Sequence, residues 1–130
     1  MADELSGIIV ALPHGRALSM AELMSGWRQH VHRLALEASR PRTDTDWGGH
    51  DLVAALTLRD FIAGGMTSLT DSQLSLVAEQ LAAIDDEYRG FTEPDLTGAL
   101  RTFAERPLAD RLWWWDRLPV SGLAREELLR

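Results

Sequence analysis

The sequence predicts an all-α fold, a compact bundle of four to five helices joined by short loops. Three observations carry that expectation. Two Ser/Thr-x-x-Glu/Gln boxes stand where helices would open, and apolar residues recur at three- and four-residue steps. No second strand is evident to pair with the one short apolar stretch near the start. With 130 residues, 45% of them hydrophobic, the chain has enough for one core and too little for two, so residues 1–130 are expected to form a single helical domain.

Taken in order, residues 5–12 (LSGIIVAL) read either as a short extended strand or as an apolar tail laid over the bundle. Ser19 and Glu22 form the first capping box, which satisfies two orphan amides of a helix start. Met20, Leu23, Met24, Trp27, Val31, Leu34 and Ala38 then line one face, and Arg40-Pro41 ends the helix. Residues 41–50 (PRTDTDWGGH) form a polar loop. A second helix is expected from Asp51 to about Ala63, burying Leu52, Val53, Leu56 and Phe61, with Gly64-Gly65 as its stop. Thr70 and Gln73 box the third helix, whose Leu74, Val77, Leu81, Ile84 and Tyr88 run to Gly90. Thr92 would cap a fourth, with Pro94 in its first turn, Asp95 at the box position and Leu96, Leu100 and Phe103 on its apolar face. Pro107 opens a fifth segment through the tryptophans, interrupted at Pro119, and LAREELLR ends the chain as a helical turn or a frayed end.

Composition removes several chemistries. Cysteine is absent and all 13 basic residues are arginine, so no thiolate site, Schiff-base lysine or Walker lysine exists here. No apolar run approaches the roughly 18 residues of a spanning helix, so no membrane association is expected. The stretch Ile8–Leu12 is short and follows Asp3 and Glu4, unlike the basic start of a secretory leader, and a cytoplasmic location is the expectation. The net charge of −7 disfavours nucleic acid as a partner, because such binding neutralises phosphates. That charge is unevenly placed: residues 1–42 carry +1, residues 43–95 carry −9 and residues 96–130 carry +1. Unless folding interleaves these segments, the molecule is electrostatically two-sided.

Catalytic motifs are not visible. His30 and His32 lie two apart on a helix and diverge by about 200°, so they cannot chelate one metal from it. His50 lies near Asp44 and Asp46 in a spacing that matches no metal motif. Ser6-Gly7, Ser25-Gly26 and Ser121-Gly122 lack the G-x-S-x-G elbow, and no glycine-rich phosphate loop appears. No catalytic residue, metal ligand or cofactor is assigned.

Two binding candidates remain. Asp85, Asp86, Glu87, Glu93 and Asp95 place five acids within eleven residues, either solvated, neutralised by Arg89 and arginines of the first or last helix, or presented to a basic partner. Trp113-Trp114-Trp115 would cover about 200° of a helix circumference, more than a buried stripe, so one ring is expected outside the core. Arg111 and Arg117 flank the run at spacings that suit stacking over an exposed ring, making these five residues a candidate aromatic anchor.

The stretch Ile84-Asp85-Asp86-Glu87-Tyr88-Arg89, followed by the late tryptophan run before Pro119, resembles small acidic uncharacterised proteins of GC-rich, actinobacterial-type bacteria. The resemblance covers the last two thirds of the chain. It implies a bacterial, cytoplasmic setting and brings no activity, cofactor or site. The expected function is a non-catalytic protein-binding module, most concretely an acidic inhibitor or immunity-type protein masking a basic partner. The alternative is a small enzyme or ligand-binding protein with a pocket lined by tryptophans and His30, His32 or His50. A homodimer built on the tryptophan segment is compatible with either.

Overall fold

A computed structural model describes residues 2–107 and 110–130. Leu108 and Ala109, within the segment expected to open at Pro107, lie outside the described residues. The chain is mostly helical, with α1 (Ala2–Ser6), α2 (Met20–Ala38), α3 (Gly49–Met66), α4 (Asp71–Gly90), α5 (Ala99–Ala104) and α6 (Leu123–Leu128). It is not purely all-α. Two small antiparallel sheets pair β1 (Ile9–Ala11) with β2 (Ala17–Ser19), and β3 (Thr92–Pro94) with β4 (Arg117–Pro119).

The three long helices begin where local chemistry places them. Ser19 Oγ accepts from the Glu22 amide at 3.1 Å while Glu22 Oε1 accepts from the Ser19 amide at 3.0 Å, closing the box that opens α2. The Thr70 and Gln73 pair repeats this at α4. At α3 the cap residue is Gly48, which has no side chain, so the acceptors come from elsewhere. Asp51 Oδ2 takes the Gly48 amide at 2.9 Å, and Glu127 Oε1 of α6 takes the Gly49 amide at 2.7 Å. The last helix therefore completes the start of the third.

α3 runs through Gly64-Gly65 instead of stopping there. The reason is a close approach: a Cβ at Gly65 would lie 2.7 Å from Val10 Cγ2. That contact seats β1 on α3, and the helix ends one residue later at Met66, where the Thr67 and Ser68 hydroxyls donate to the Gly64 and Gly65 carbonyls. The N-terminal segment is thus a hairpin strand, with Ile9 opposite Ser19, Val10 opposite Leu18 and Ala11 opposite Ala17. His14 and Gly15, at φ 63° and 73°, make the tight turn between the strands.

The helix expected to start at Thr92 also gives way to a strand. Thr92 Oγ1 donates back to the Tyr88 carbonyl at 2.7 Å, continuing the end of α4, and Thr92, Glu93 and Pro94 pair with Pro119, Leu118 and Arg117. Asp95 still caps, but five residues ahead: its Oδ2 accepts the Leu100 amide at 2.9 Å. α2 packs against both α3 and α4, and Trp27, Tyr88, Trp115, Leu52, Leu56, Ile62 and Leu100 are fully buried in one contiguous core. Among the described residues, no helix is long and apolar enough to cross a membrane.

Candidate functional site

The three tryptophans sit in a 3-10 turn, Trp113–Asp116. At three residues per turn, successive side chains point about 120° apart, so each ring meets different surroundings. Trp114 and Trp115 are buried, and Trp113 is half-buried. The indole N–H groups of Trp114 and Trp115 both donate to Asp60 Oδ1, at 2.7 and 2.8 Å. Arg59 stacks 4.0 Å from the Trp114 ring, Arg106 4.6 Å from Trp115 and Arg89 3.9 Å from Trp113. Neighbouring residues Arg59 and Asp60 thus clamp neighbouring residues Trp114 and Trp115. Two buried guanidinium nitrogens, Arg59 Nη1 and Arg106 Nε, have no hydrogen-bond partner among the described residues. Both belong to guanidiniums held over an indole ring, 4.0 Å from the Trp114 centroid and 4.6 Å from that of Trp115.

The stacking cations are therefore not the flanking arginines the sequence suggested. Arg117 Nε donates to Thr92 Oγ1 at 2.8 Å and its Nη2 to the Thr92 carbonyl at 2.9 Å, which ties β4 to β3. Arg111 is exposed and left-handed, at φ 55°.

The acidic run divides. Asp85 is buried and is not part of a surface, a correction to its expected place. It sits on the same face of α4 as Leu81, Ile84 and Tyr88, takes a bidentate pair from Arg59 at 3.0 and 3.0 Å, and accepts the Trp27 indole N–H at 3.1 Å. Removing one partner of such a pair strands the other charge and costs about 3–5 kcal/mol. Asp86 is exposed and 3.3 Å from Arg89; Glu87 is 3.2 Å from His32; Glu93 is 2.7 Å from Arg125 of α6. Asp95 is the cap described above. Folding interleaves the charge segments: Arg40, Arg106 and Arg125 reach from the two flanks to Asp46, Asp60 and Glu93 in the middle. These three pairs offset part of the middle segment's excess, and four of the five acids of the run, Asp85, Asp86, Glu87 and Glu93, have a basic side chain within 3.3 Å.

Arg101, which no sequence pattern marked, organises the loop before the tryptophans. It is buried, with Nε donating to Asp116 Oδ1 at 2.6 Å and Nη1 to the Pro107 carbonyl at 2.6 Å, and it pairs with Asp110 at 2.8 Å. The hydrogen bond that Arg101 donates to the Asp116 carboxylate raises its pKa against the cost of burial. Burial pushes the Asp110 carboxyl up, but the Leu112 amide and the Arg101 and Arg106 guanidiniums outweigh it and hold the group below the usual carboxylate range. Burial pushes the Tyr88 hydroxyl strongly up; it donates to the Trp114 carbonyl at 2.8 Å and links α4 to the turn.

The histidines do not converge. His30 Nδ1 is 2.7 Å from the Gly26 carbonyl with its ring against Trp47, His32 meets Glu87, and His50 packs on Phe103. Among the described residues no three His, Asp or Glu side chains form a metal-binding group. The opening beside Trp47 is about 10 Å³, too small for a ligand. No protein-family model, curated protein or solved structure matches the chain.

Proposed function

We propose that the chain is a non-catalytic protein-binding module, of the inhibitor or immunity type, whose outward face of α4 meets a basic partner. One observation carries this reading. Asp71, Glu79 and Asp86 are exposed and, at 100° per residue, share an arc of roughly 80° on α4. Exposed Ser75, Ala78 and Ala82 separate them, so small side chains leave the carboxylates standing proud along the helix. The one arginine on that arc is Arg89, and its contact with Asp86 joins two solvent-exposed groups, a pairing worth less than about 1 kcal/mol. A basic partner would replace it readily. Glu87, 38% exposed beside His32, extends the same face.

The test is a capture experiment on lysate of the source cells, with wild-type chain and the triple variant Asp71→Arg, Glu79→Arg, Asp86→Arg, and with Asp44→Arg as a charge control. Each variant is checked for helical circular dichroism. The expected result is a partner that the wild type and Asp44→Arg retain and salt releases, and that the triple variant loses. A partner held equally by the triple variant would sink the reading.

A further inference from the structure

Four apolar side chains that the core leaves half-covered, Leu12, Leu18, Leu58 and Phe61, are not scattered over the surface. With Ala17 they line one cleft of about 390 Å³ between the β1–β2 hairpin and α3. A volume of that size falls in the range of small-molecule sites.

One charged residue, Arg16, completes the lining. Its state is unusual in this chain. Among the described residues, nine arginines sit in ion pairs and Arg117 is bound to Thr92. Arg16, Arg28 and Arg111 have no side-chain partner among the described residues, and of these three Arg16 borders the cleft. The nearest acid in sequence on the α3 side, Asp60, is already held by Trp114, Trp115 and Arg106.

The cleft is also pre-formed. The Leu12 amide donates to the Arg16 carbonyl at 2.8 Å across the tight turn, and Val10 locks the hairpin onto Gly65 of α3. Arg16 is thus delivered to an apolar floor by a short, hydrogen-bonded turn. A guanidinium with all its donors free binds a carboxylate bidentately, and the floor takes an alkyl chain. In a molecule of net charge −7, an anion has few such cations to choose from.

We propose that this cleft binds a straight-chain alkyl carboxylate, with the chain against Leu12, Leu18, Leu58 and Phe61 and the carboxylate on Arg16. The site is separate from the α4 face and stands or falls independently of it. The test is titration of the full ¹⁵N-labelled chain with decanoate, decanol and a peptide ending in a free leucine. Decanoate is expected to shift the amides of residues 12–18, 58 and 61 saturably. Arg16→Gln, an exposed position, should weaken it about tenfold, a typical loss for one charge-assisted contact. Arg28→Gln should leave it unchanged. Decanol binding as tightly as decanoate, shifts centred elsewhere, or no saturable shift would overturn the proposal. Tighter binding of the peptide would reassign the cleft to protein C-termini and overturn it equally.

Discussion

Asp60 is the position where a single substitution reads out the tryptophan clamp. Asp60→Ala removes the acceptor of two indole N–H groups, those of Trp114 and Trp115, and one of the two carboxylates that Arg106 contacts. The rings are 4% and 1% exposed, so water cannot reach both donors without opening the site. An unsatisfied buried donor costs about 1–3 kcal/mol, and two give about 2–6 kcal/mol before any relaxation. Arg106 adds little, because it is 30% exposed and keeps Asp110 at 2.9 Å. Against a typical total of about 5–15 kcal/mol, Asp60→Ala removes a large share of the stability. Asp60→Asn keeps an oxygen in the same place and loses only the charge, so it should cost about half as much or less. Urea unfolding followed by tryptophan fluorescence measures both, through a lowered midpoint at unchanged slope. The reasoning fails if Ala costs under about 1 kcal/mol, or if Asn costs as much as Ala.

Three further outcomes follow from single contacts. Tyr88 is the only tyrosine in the chain, and burial raises its pKa above the ordinary 10.0, so the fold favours the neutral form. Its contribution is complete below pH 10 and is lost as the pH rises beyond it, because the unfolded chain ionises first. Tyrosinate absorbance should therefore appear together with loss of helical circular dichroism; a reversible titration near pH 10 in the folded protein would contradict this. Gly65→Ala should cost about 1–3 kcal/mol by crowding Val10 and Met20, as measured by urea unfolding. Gly64→Ala meets nothing within 4 Å on an exposed helical position and should stabilise by about 0.5–1 kcal/mol in the same assay; equal effects at the two glycines would refute the close-approach argument.

How much of this was readable in advance follows the range of the interactions. The boxes at Ser19 and Thr70 close within three residues, and the sequence located both helix starts. Gly64-Gly65 has the composition of a stop, yet what decides it is Val10, more than fifty positions away, and no local pattern reports that. The four strands are three residues each, too short for alternation to show, and Ala17-Leu18-Ser19 has no β-branched residue. Charge segregation was real in the sequence, but its partners are distant: Asp85 with Arg59, Glu93 with Arg125, Asp60 with Arg106. Asp60 and Arg101 carry no sequence signal at all. Asp71 and Glu79 did: helical spacing along the predicted third helix places both on its polar face together with Asp86 of the acidic run.

Two adjacent carboxylates play opposite roles, Asp85 inside and Asp86 outward, and that division is open to one measurement. Urea unfolding of Asp85→Asn and Asp86→Asn compares an internal charge, 9% exposed and paired to Arg59, with one 77% exposed. The expected losses are about 3–5 kcal/mol for Asp85→Asn, which strands the Arg59 charge, and under about 0.5 kcal/mol for Asp86→Asn. Equal small losses at both positions would contradict the buried clamp, and a larger loss at Asp86 would reverse the assignment of faces on α4.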